Sequence, residues 1–347
     1  MTKSINLSAG VIFIIFFSSV TVIIIPVSTT TINWVSDFHP HGGYVDEILF
    51  VQYPSEDYNQ VMYALQRGEI DVYDTQVPVK YLPGLLTDPN ISVQIESDNM
   101  FRHITLNCEN FPTNITGYRR ALAYSLDKYK IVTKVTGETG KPLDSYIPPC
   151  ATEWEIESSM SEHYYEKDIT KGNASLEASG FKDLDNDGWR EYDVNNNDVW
   201  DETVDIDDEE CSIEIVFSKG YEPAMISCQV AVEGLLEMGM RAKVVEWDPA
   251  TSCGGFPDIE NAICFSITFG FVNPPIFMYY YFRSGQVYHD ELTNLNNDSI
   301  DEAIDAIMNA TTLEEAKTKC IKAMEMLIFE QPMIVCYNHL NINAYRS

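Results

Sequence analysis

The sequence predicts an α/β fold, and three observations predict it. Period-two apolar alternation marks strands, as at Ile213, Ile215 and Phe217. Between such strands lie helix-length segments with recognisable caps and apolar stripes. Apolar residues make up 45% and aromatics 12% of 347 residues, enough to bury a sizeable core and to exclude an intrinsically disordered chain.

In chain order, Ile48 to Val51 reads as a short apolar strand. Asp57 is placed to cap a helix carrying Val61, Ala64 and Leu65, and Gly68 closes it before extended structure resumes at Ile70-Asp71-Val72. Tyr118 to Leu126 is helical, with Tyr118, Ala121, Leu122 and Ser125 on one face, and Asp127 caps the turn that follows through Lys130, Ile131 and Val132. After the strand at Ile213–Phe217, a helix carries Cys228, Ala231, Val232 and Leu235 as its stripe and stops at Gly239. Val244 to Trp247 is the next strand. Capping boxes at Ser299-Ile300-Asp301-Glu302 and Thr312-Leu313-Glu314-Glu315 open two further helices. The first turns Ile300, Ala303, Ile304 and Ile307 inward, the second Ala316, Cys320, Ala323 and Leu327. Pro332 ends the second, and Ile334 to Tyr337 returns as a strand. No solenoid-length repeat interrupts this order.

Against 22 Lys and Arg stand 53 Asp and Glu, a formal net charge of -31. That balance argues against nucleic-acid binding and against loose attachment to anionic lipid, both of which need a cationic face. Val11 to Val27 is apolar, with Lys3 ahead and Ser28-Thr29-Thr30-Thr31 behind, so residues 1–33 read as a signal peptide or a retained signal anchor. No Ala-x-Ala site and no lipid-accepting Cys follows. Export agrees with five glycan sequons, at Asn90, Asn114, Asn173, Asn297 and Asn309. It also agrees with an even number of cysteines, eight, which are either disulfide-paired or small buried hydrophobes.

Thirteen acids and one base (Arg190) fall between Asp183 and Glu210, a net -12. Asp183-Leu184-Asp185-Asn186-Asp187-Gly188 has the alternate-oxygen spacing that a hard cation needs, and its Gly permits the sharp turn. Trp189 would add a carbonyl and Glu191 a side-chain or water-bridged contact. Position twelve is Val194, so the bidentate Glu of an EF-hand is missing. The spacing repeats through Asp193, Asn195 and Asn197, with Asp198 where Gly belongs. The expectation is a structural calcium ion in a connector at 183–210, and the alternative is a solvated acidic turn. No other cofactor is called for.

No catalytic constellation emerges. Gly137-Glu138-Thr139-Gly140-Lys141 resembles the end of a phosphate loop, but Pro142 replaces the required Ser or Thr. The six histidines form no His-Glu-x-x-His pair, although His39 and His41 flank Pro40 at a spacing that could share a metal. No Gly-x-Ser-x-Gly elbow occurs. Nothing in these residues selects an enzyme.

Several segments, taken in order, resemble the extracytoplasmic solute-binding proteins of peptide/nickel-type ABC importers, family 5. They are Tyr44-Val45-Asp46-Glu47-Ile48, then Ala64-Leu65-Gln66-Arg67-Gly68-Glu69-Ile70-Asp71, then Tyr118-Arg119-Arg120-Ala121-Leu122-Ala123-Tyr124-Ser125-Leu126-Asp127. Gly140-Lys141-Pro142 with Ile147-Pro148-Pro149, the helix end from Ala174 to Phe181, and Gln331-Pro332-Met333-Ile334-Val335 complete the series. The resemblance implies a periplasmic-binding-protein type II-like fold with two lobes closing on a solute. By the family pattern, 34–96 is a partial first-lobe segment, 97–341 a nearly complete second lobe and 342–347 a truncated return segment. The implied function is capture of a peptide or other small solute and its delivery to an ABC transporter permease. A further chain supplying the missing lobe is a possible partner. The alternative is a non-transport surface module built from the surviving lobe and stiffened by calcium. Peptide binders of the family pair the ligand amino group with an Asp ahead of a Pro. Phe269-Gly270-Phe271-Val272-Asn273-Pro274 carries no acid there, so the amino-group partner is not carried over. Phe269, Phe271, Asn273 and Trp247 are the expected ligand-binding residues; the alternative for them is ordinary core and loop packing.

Overall fold

A computed structural model describes residues 47–53, 58–73, 77–97, 99–137, 139–160, 163–248, 262–265 and 274–347. Its helices are α1 (Tyr58–Arg67), α2 (Leu82–Leu86), α3 (Thr116–Ser125), α4 (Lys128–Thr136), α5 (Ile169–Ala178), α6 (Glu222–Glu237), α7 (Pro274–Phe282), α8 (Asp298–Met308) and α9 (Leu313–Glu330). The strands are β1 (Val72–Tyr73), β2 (Ile91–Ser97), β3 (Arg102–Leu106), β4 (Lys141–Pro142), β5 (Phe181–Lys182), β6 (Glu191–Tyr192), β7 (Ile213–Ser218), β8 (Ala242–Trp247), β9 (Ala262–Phe265), β10 (Met333–Asn338) and β11 (Leu340–Arg346).

The alternation at Ile213, Ile215 and Phe217 buries those three side chains and leaves their neighbours half-exposed, which makes β7 a strand with one core face. It runs parallel to β8 on one side and β9 on the other, within a six-stranded sheet of order β4-β10-β3-β9-β7-β8. The β3 and β10 strands are antiparallel members of that sheet, and both are buried along their whole length. Helix α6 lies close against α3 because Gly234 has no side chain. A Cβ there would meet the Ser125 carbonyl oxygen at 2.4 Å. Arg119, buried in α3, donates from Nε to the Glu330 carbonyl (2.6 Å) and from Nη1 to the Thr113 carbonyl (2.9 Å), and pairs through Nη2 with the Glu330 carboxylate (2.8 Å). It thereby pins α3 to the end of α9.

A smaller antiparallel sheet, β1-β11-β2, has its own core of Val61, Met62, Leu65, Val77, Leu85, Ile91, Ile342 and Ala344. Among the described residues the chain passes between the two sheets at 99–101 and at His339. Segment 342–347, expected to be a truncated return, belongs to β11. That strand pairs with β2 over its whole length, from Leu340↔Ser97 to Arg346↔Ile91, so a return strand to the smaller sheet is present.

Other expectations are corrected. Ile48 to Val51 forms no strand and is 50–83% exposed, because no neighbouring strand offers it a hydrogen-bonding ladder among the described residues. Asp57 lies outside the described residues. The cap of α8 is Asn297, not Ser299: its Oδ1 accepts from Ser299 N (3.0 Å) and Ile300 N (3.3 Å). Thr312 caps α9 as expected, but Glu315 reaches back to Thr311 N (2.9 Å), one residue earlier than in a capping box. Cys108, Cys150, Cys211, Cys228, Cys320 and Cys336 form no disulfide. Cys211, Cys228, Cys320 and Cys336 are buried as small hydrophobes, and Cys320 Sγ lies 3.4 Å from Met278 Sδ. The disulfide expectation is not met among those six; Cys253 and the Cys264 side chain lie outside the described parts of the chain.

Candidate functional site

The pairing register sets one edge of the large sheet apart. β7, β8 and β9 end there together, with Ser218 opposite Trp247 and Phe265 opposite His103. Because β3 and β10 are antiparallel, β3 begins at this edge with Arg102 and β10 ends there with Asn338. In open sheets of this kind ligands collect outside the carboxyl ends of parallel strands, where main-chain polar groups are left free. Both crossings to the smaller sheet lie on the same edge.

Asn338 ties the two crossings together. It is buried, accepts from Ser97 Oγ at 3.1 Å and donates from Nδ2 to the Met100 carbonyl at 2.7 Å. Beneath them Phe101 packs edge-on against Phe277 (5.7 Å) and Tyr146 (6.2 Å). His103 is buried with Nδ1 3.0 Å from Thr105 Oγ1, and burial, helped by the Arg102 charge, pulls its imidazole down to about 3. The same causes bring His339 down to about 4. Both rings are therefore neutral near pH 7, and Arg102 supplies the cationic charge among these four residues.

Of the expected ligand residues, Trp247 lies on this edge, at the carboxyl end of β8. It is half-buried, and its indole Nε1–H is shielded from solvent without an acceptor among the described residues. A buried indole donor without a partner is costly, and a polar solute atom would satisfy it. Phe269, Phe271 and Asn273 lie outside the described residues, in the stretch that follows β9. Arg102, His103, Asn338 and His339 are edge residues that sequence reasoning missed. Their signal is the Arg-His pair in the otherwise apolar run Phe101-Arg102-His103-Ile104-Thr105-Leu106, and the Asn-His pair after Ile334 to Tyr337.

The acidic connector divides into two loops. In the first, Asp183 Oδ2 accepts from Gly188 N (3.2 Å), Asp185 Oδ1 from Asp187 N (3.0 Å) and Asp187 Oδ1 from Trp189 N (2.8 Å). Asn186 (φ 66°) and Gly188 (φ 98°) make the turn, which leaves the three exposed carboxylates with oxygens within 4.8 Å of one another. Glu191 sits behind them, buried, its carboxyl raised by burial although it accepts from Leu184 N (2.7 Å). The second loop already holds a cation. Lys182 Nζ bonds Asp193 (3.0 Å), Asn196 (2.9 Å) and Asp198 (2.5 Å), while Asp193 also accepts from Asn197 N and Asp198 N. The structure thus groups Asp183, Asp185 and Asp187, with Glu191 bonded to Leu184 N of the same loop, and sets Asp193 against the Lys182 ammonium; Asn197 is exposed and reaches Asp193 only through its main-chain N–H, and Asn195 is exposed.

The family described as bacterial extracellular solute-binding proteins, family 5 Middle, matches residues 33–288. No curated protein sequence matches the chain. Among solved structures, it is similar to the oligopeptide-binding protein AppA of Bacillus subtilis in complex with a nonapeptide (18% identity, TM-score 0.65, 83% of this chain and 54% of that one). It is also similar to NikZ of Campylobacter jejuni in complex with Ni(L-His) (21%, 0.64, 84% and 55%). A third is the ABC transporter substrate-binding protein CtaP of Listeria monocytogenes (17%, 0.66, 84% and 54%). The chain spans about half the length of these structures. Its fold is the periplasmic-binding-protein type II fold, with one nearly complete lobe and part of the other. With the matched segment running through both sheets and the carboxyl-end edge between them, the chain belongs to the bacterial extracellular solute-binding proteins of family 5.

Proposed function

We propose that this chain captures a peptide or other small solute at the carboxyl-end edge of the large sheet and delivers it to an ABC permease in the membrane. The observation that carries this reading is the coincidence, within a chain of this family, of both crossings with the edge bearing the Trp247 donor, which has no acceptor among the described residues. Arg102 gives the edge a cation beside two neutral imidazoles, and Asp248, next to Trp247, is paired with Lys219, which suits a solute with carboxylate or other acceptor groups. The apolar segment Val11–Val27 is its export signal or anchor; it lies outside the described residues, among which no helix is long and apolar enough to cross a membrane.

A thermal-shift screen of the purified chain against peptides, nickel–histidine complexes and sugars tests the proposal. A true solute at a hundredfold excess over its Kd stabilises by about 2.7 kcal/mol. Trp247→Phe, which removes the indole donor and keeps a ring, should reduce that shift. An intact fold that no solute shifts would sink the reading.

Calcium is proposed as a structural ion on Asp183, Asp185 and Asp187. Three carboxylates with converging oxygens fit a hard cation, and Glu191 braces the loop from behind. An ion there would stiffen the connector without touching the solute edge. Isothermal titration with millimolar calcium should show heat that Asp185→Asn removes; no heat in the parent chain ends this idea.

A further inference from the structure

Just after β4, Asp144 joins Glu157 and His163 to bring two carboxylates and an imidazole together, with donor atoms within 4.8 Å of one another. His163 Nδ1 lies 3.1 Å from Asp144 Oδ2 and 3.9 Å from Glu157 Oε1. Three donors around an ion with bonds of about 2.0–2.1 Å sit ~3.3 Å apart when the geometry is tetrahedral, so these spacings need only small adjustments.

The donors are held in place by their surroundings. Asp144 is buried, is paired through Oδ1 with the buried Lys128, and accepts from Tyr164 N at 2.9 Å. The two Glu157 oxygens accept from Asp144 N and Ser145 N, each at 2.8 Å, and the Tyr165 hydroxyl also donates to Glu157. The His163 ring stacks on Tyr165 with centroids 4.5 Å apart. Such outer partners orient ligands and set their basicity in metal sites. With a neutral imidazole the group carries two carboxylates against one ammonium, an excess negative charge that a cation relieves. The His163 side chain is 33% exposed, and Glu157 and Tyr165 line a cavity of about 730 Å³ with Tyr129, Leu143 and Ile147. The ligand set therefore has an outlet to solvent.

We propose that Asp144 Oδ2, Glu157 Oε1 and His163 Nδ1 bind one borderline-soft divalent transition ion, of which Zn²⁺ is the representative. One coordination position is left open to this cavity. The ion takes the place of the proton between His163 Nδ1 and Asp144 Oδ2, so binding releases a proton whenever that nitrogen carries one. Mixed imidazole and carboxylate donors favour zinc or nickel over calcium, which prefers oxygen alone. The proposal uses none of the residues named at the solute edge and does not depend on the importer reading.

The test uses the full chain, stripped with a chelator and kept in millimolar calcium so that hard-oxygen sites stay filled. Zn²⁺ is titrated in competition with a chromophoric chelator. One equivalent is expected, with affinity falling about tenfold or more in His163→Ala and in Glu157→Gln and unchanged in Asp185→Asn. His163 is partly exposed, so its replacement leaves the fold intact, which circular dichroism verifies. Co²⁺ should give four-coordinate d–d bands that His163→Ala abolishes. Absence of a zinc equivalent, or unchanged affinity in folded His163→Ala, overturns the proposal and leaves a hydrogen-bonded His–Asp–Glu cluster.

Discussion

Replacing Arg119 with Met removes the cation that joins α3 to the end of α9. In the folded chain its guanidinium satisfies the Thr113 carbonyl (2.9 Å), the Glu330 carbonyl (2.6 Å), Thr116 Oγ1 (3.1 Å) and the Glu330 carboxylate (2.8 Å), while its own side chain is 1% exposed. Met fills the same volume but donates nothing. Two main-chain acceptors lose their donor, and the Glu330 side chain, 18% exposed, keeps only the Thr116 hydroxyl at 2.8 Å. Breaking a buried pair from one side costs about 3–5 kcal/mol, because the other charge stays behind. With an m-value of about 3 kcal/mol per molar urea, the unfolding midpoint should fall by about 1–1.7 M. Arg119→Lys should lie between, since an ammonium cannot span the same fork of acceptors. Combining Arg119→Met with Glu330→Gln should recover about 1 kcal/mol or more relative to additivity. Urea unfolding followed by tryptophan fluorescence reads each value. A loss below about 1 kcal/mol for Arg119→Met, or strict additivity in the double variant, would refute the view that this pair fastens α3 to α9.

Further outcomes follow from the same structure. The folded-state pKa of His103 is depressed to about 3 by burial, so the neutral ring contributes stability that is full above the unfolded value near 6.5 and is lost as pH falls toward 3. Each such imidazole adds a slope of about 1.4 kcal/mol per pH unit inside its window. His339, depressed to about 4, adds to this over a narrower range. Thermal melts between pH 7 and 4 should fall accordingly, and His103→Gln should flatten the decline. Asn297→Ala should cost about 1 kcal/mol through loss of the α8 cap, whereas Ser299→Ala should stay within about 0.5 kcal/mol; reversal of that order would restore the capping box. Gly234→Ala should destabilise by about 1–3 kcal/mol, because its Cβ would press on the Ser125 main chain rather than on a movable side-chain end; an unchanged melt would mean that α6 can slide.

Much of the fold was legible because its signals are local. The period-two run in β7, the stripe on α6 and the Asp127 cap on α4, which accepts from Lys130 N at 2.8 Å, each depend on neighbours within one or two turns. The shortfalls have a shared cause. Ile48–Val51 has the composition of a strand, yet a strand is stable only against a partner, and sequence does not say whether one is near. The α8 cap moved from Ser299 to Asn297 because both residues can cap, and the path of the chain into the helix decided between them. The acidic connector was legible as two repeats of one spacing, but Lys182, outside both repeats, fills the second loop with its ammonium.

By itself the sequence determined the α/β class, the family and the surplus of negative charge, because burial periodicity and ordered motifs are written along the chain. Tertiary structure alone decided which residues share an edge. Trp247, Arg102 and Asn338 come from distant parts of the chain and are placed on one edge of the sheet by the register of parallel and antiparallel pairs. Asp144, Glu157 and His163 converge because the chain from Asp144 to Tyr165 folds back on itself and buries Asp144 against Lys128. A site made of non-local neighbours has no spacing to read; its geometry exists only once the core beneath it has packed.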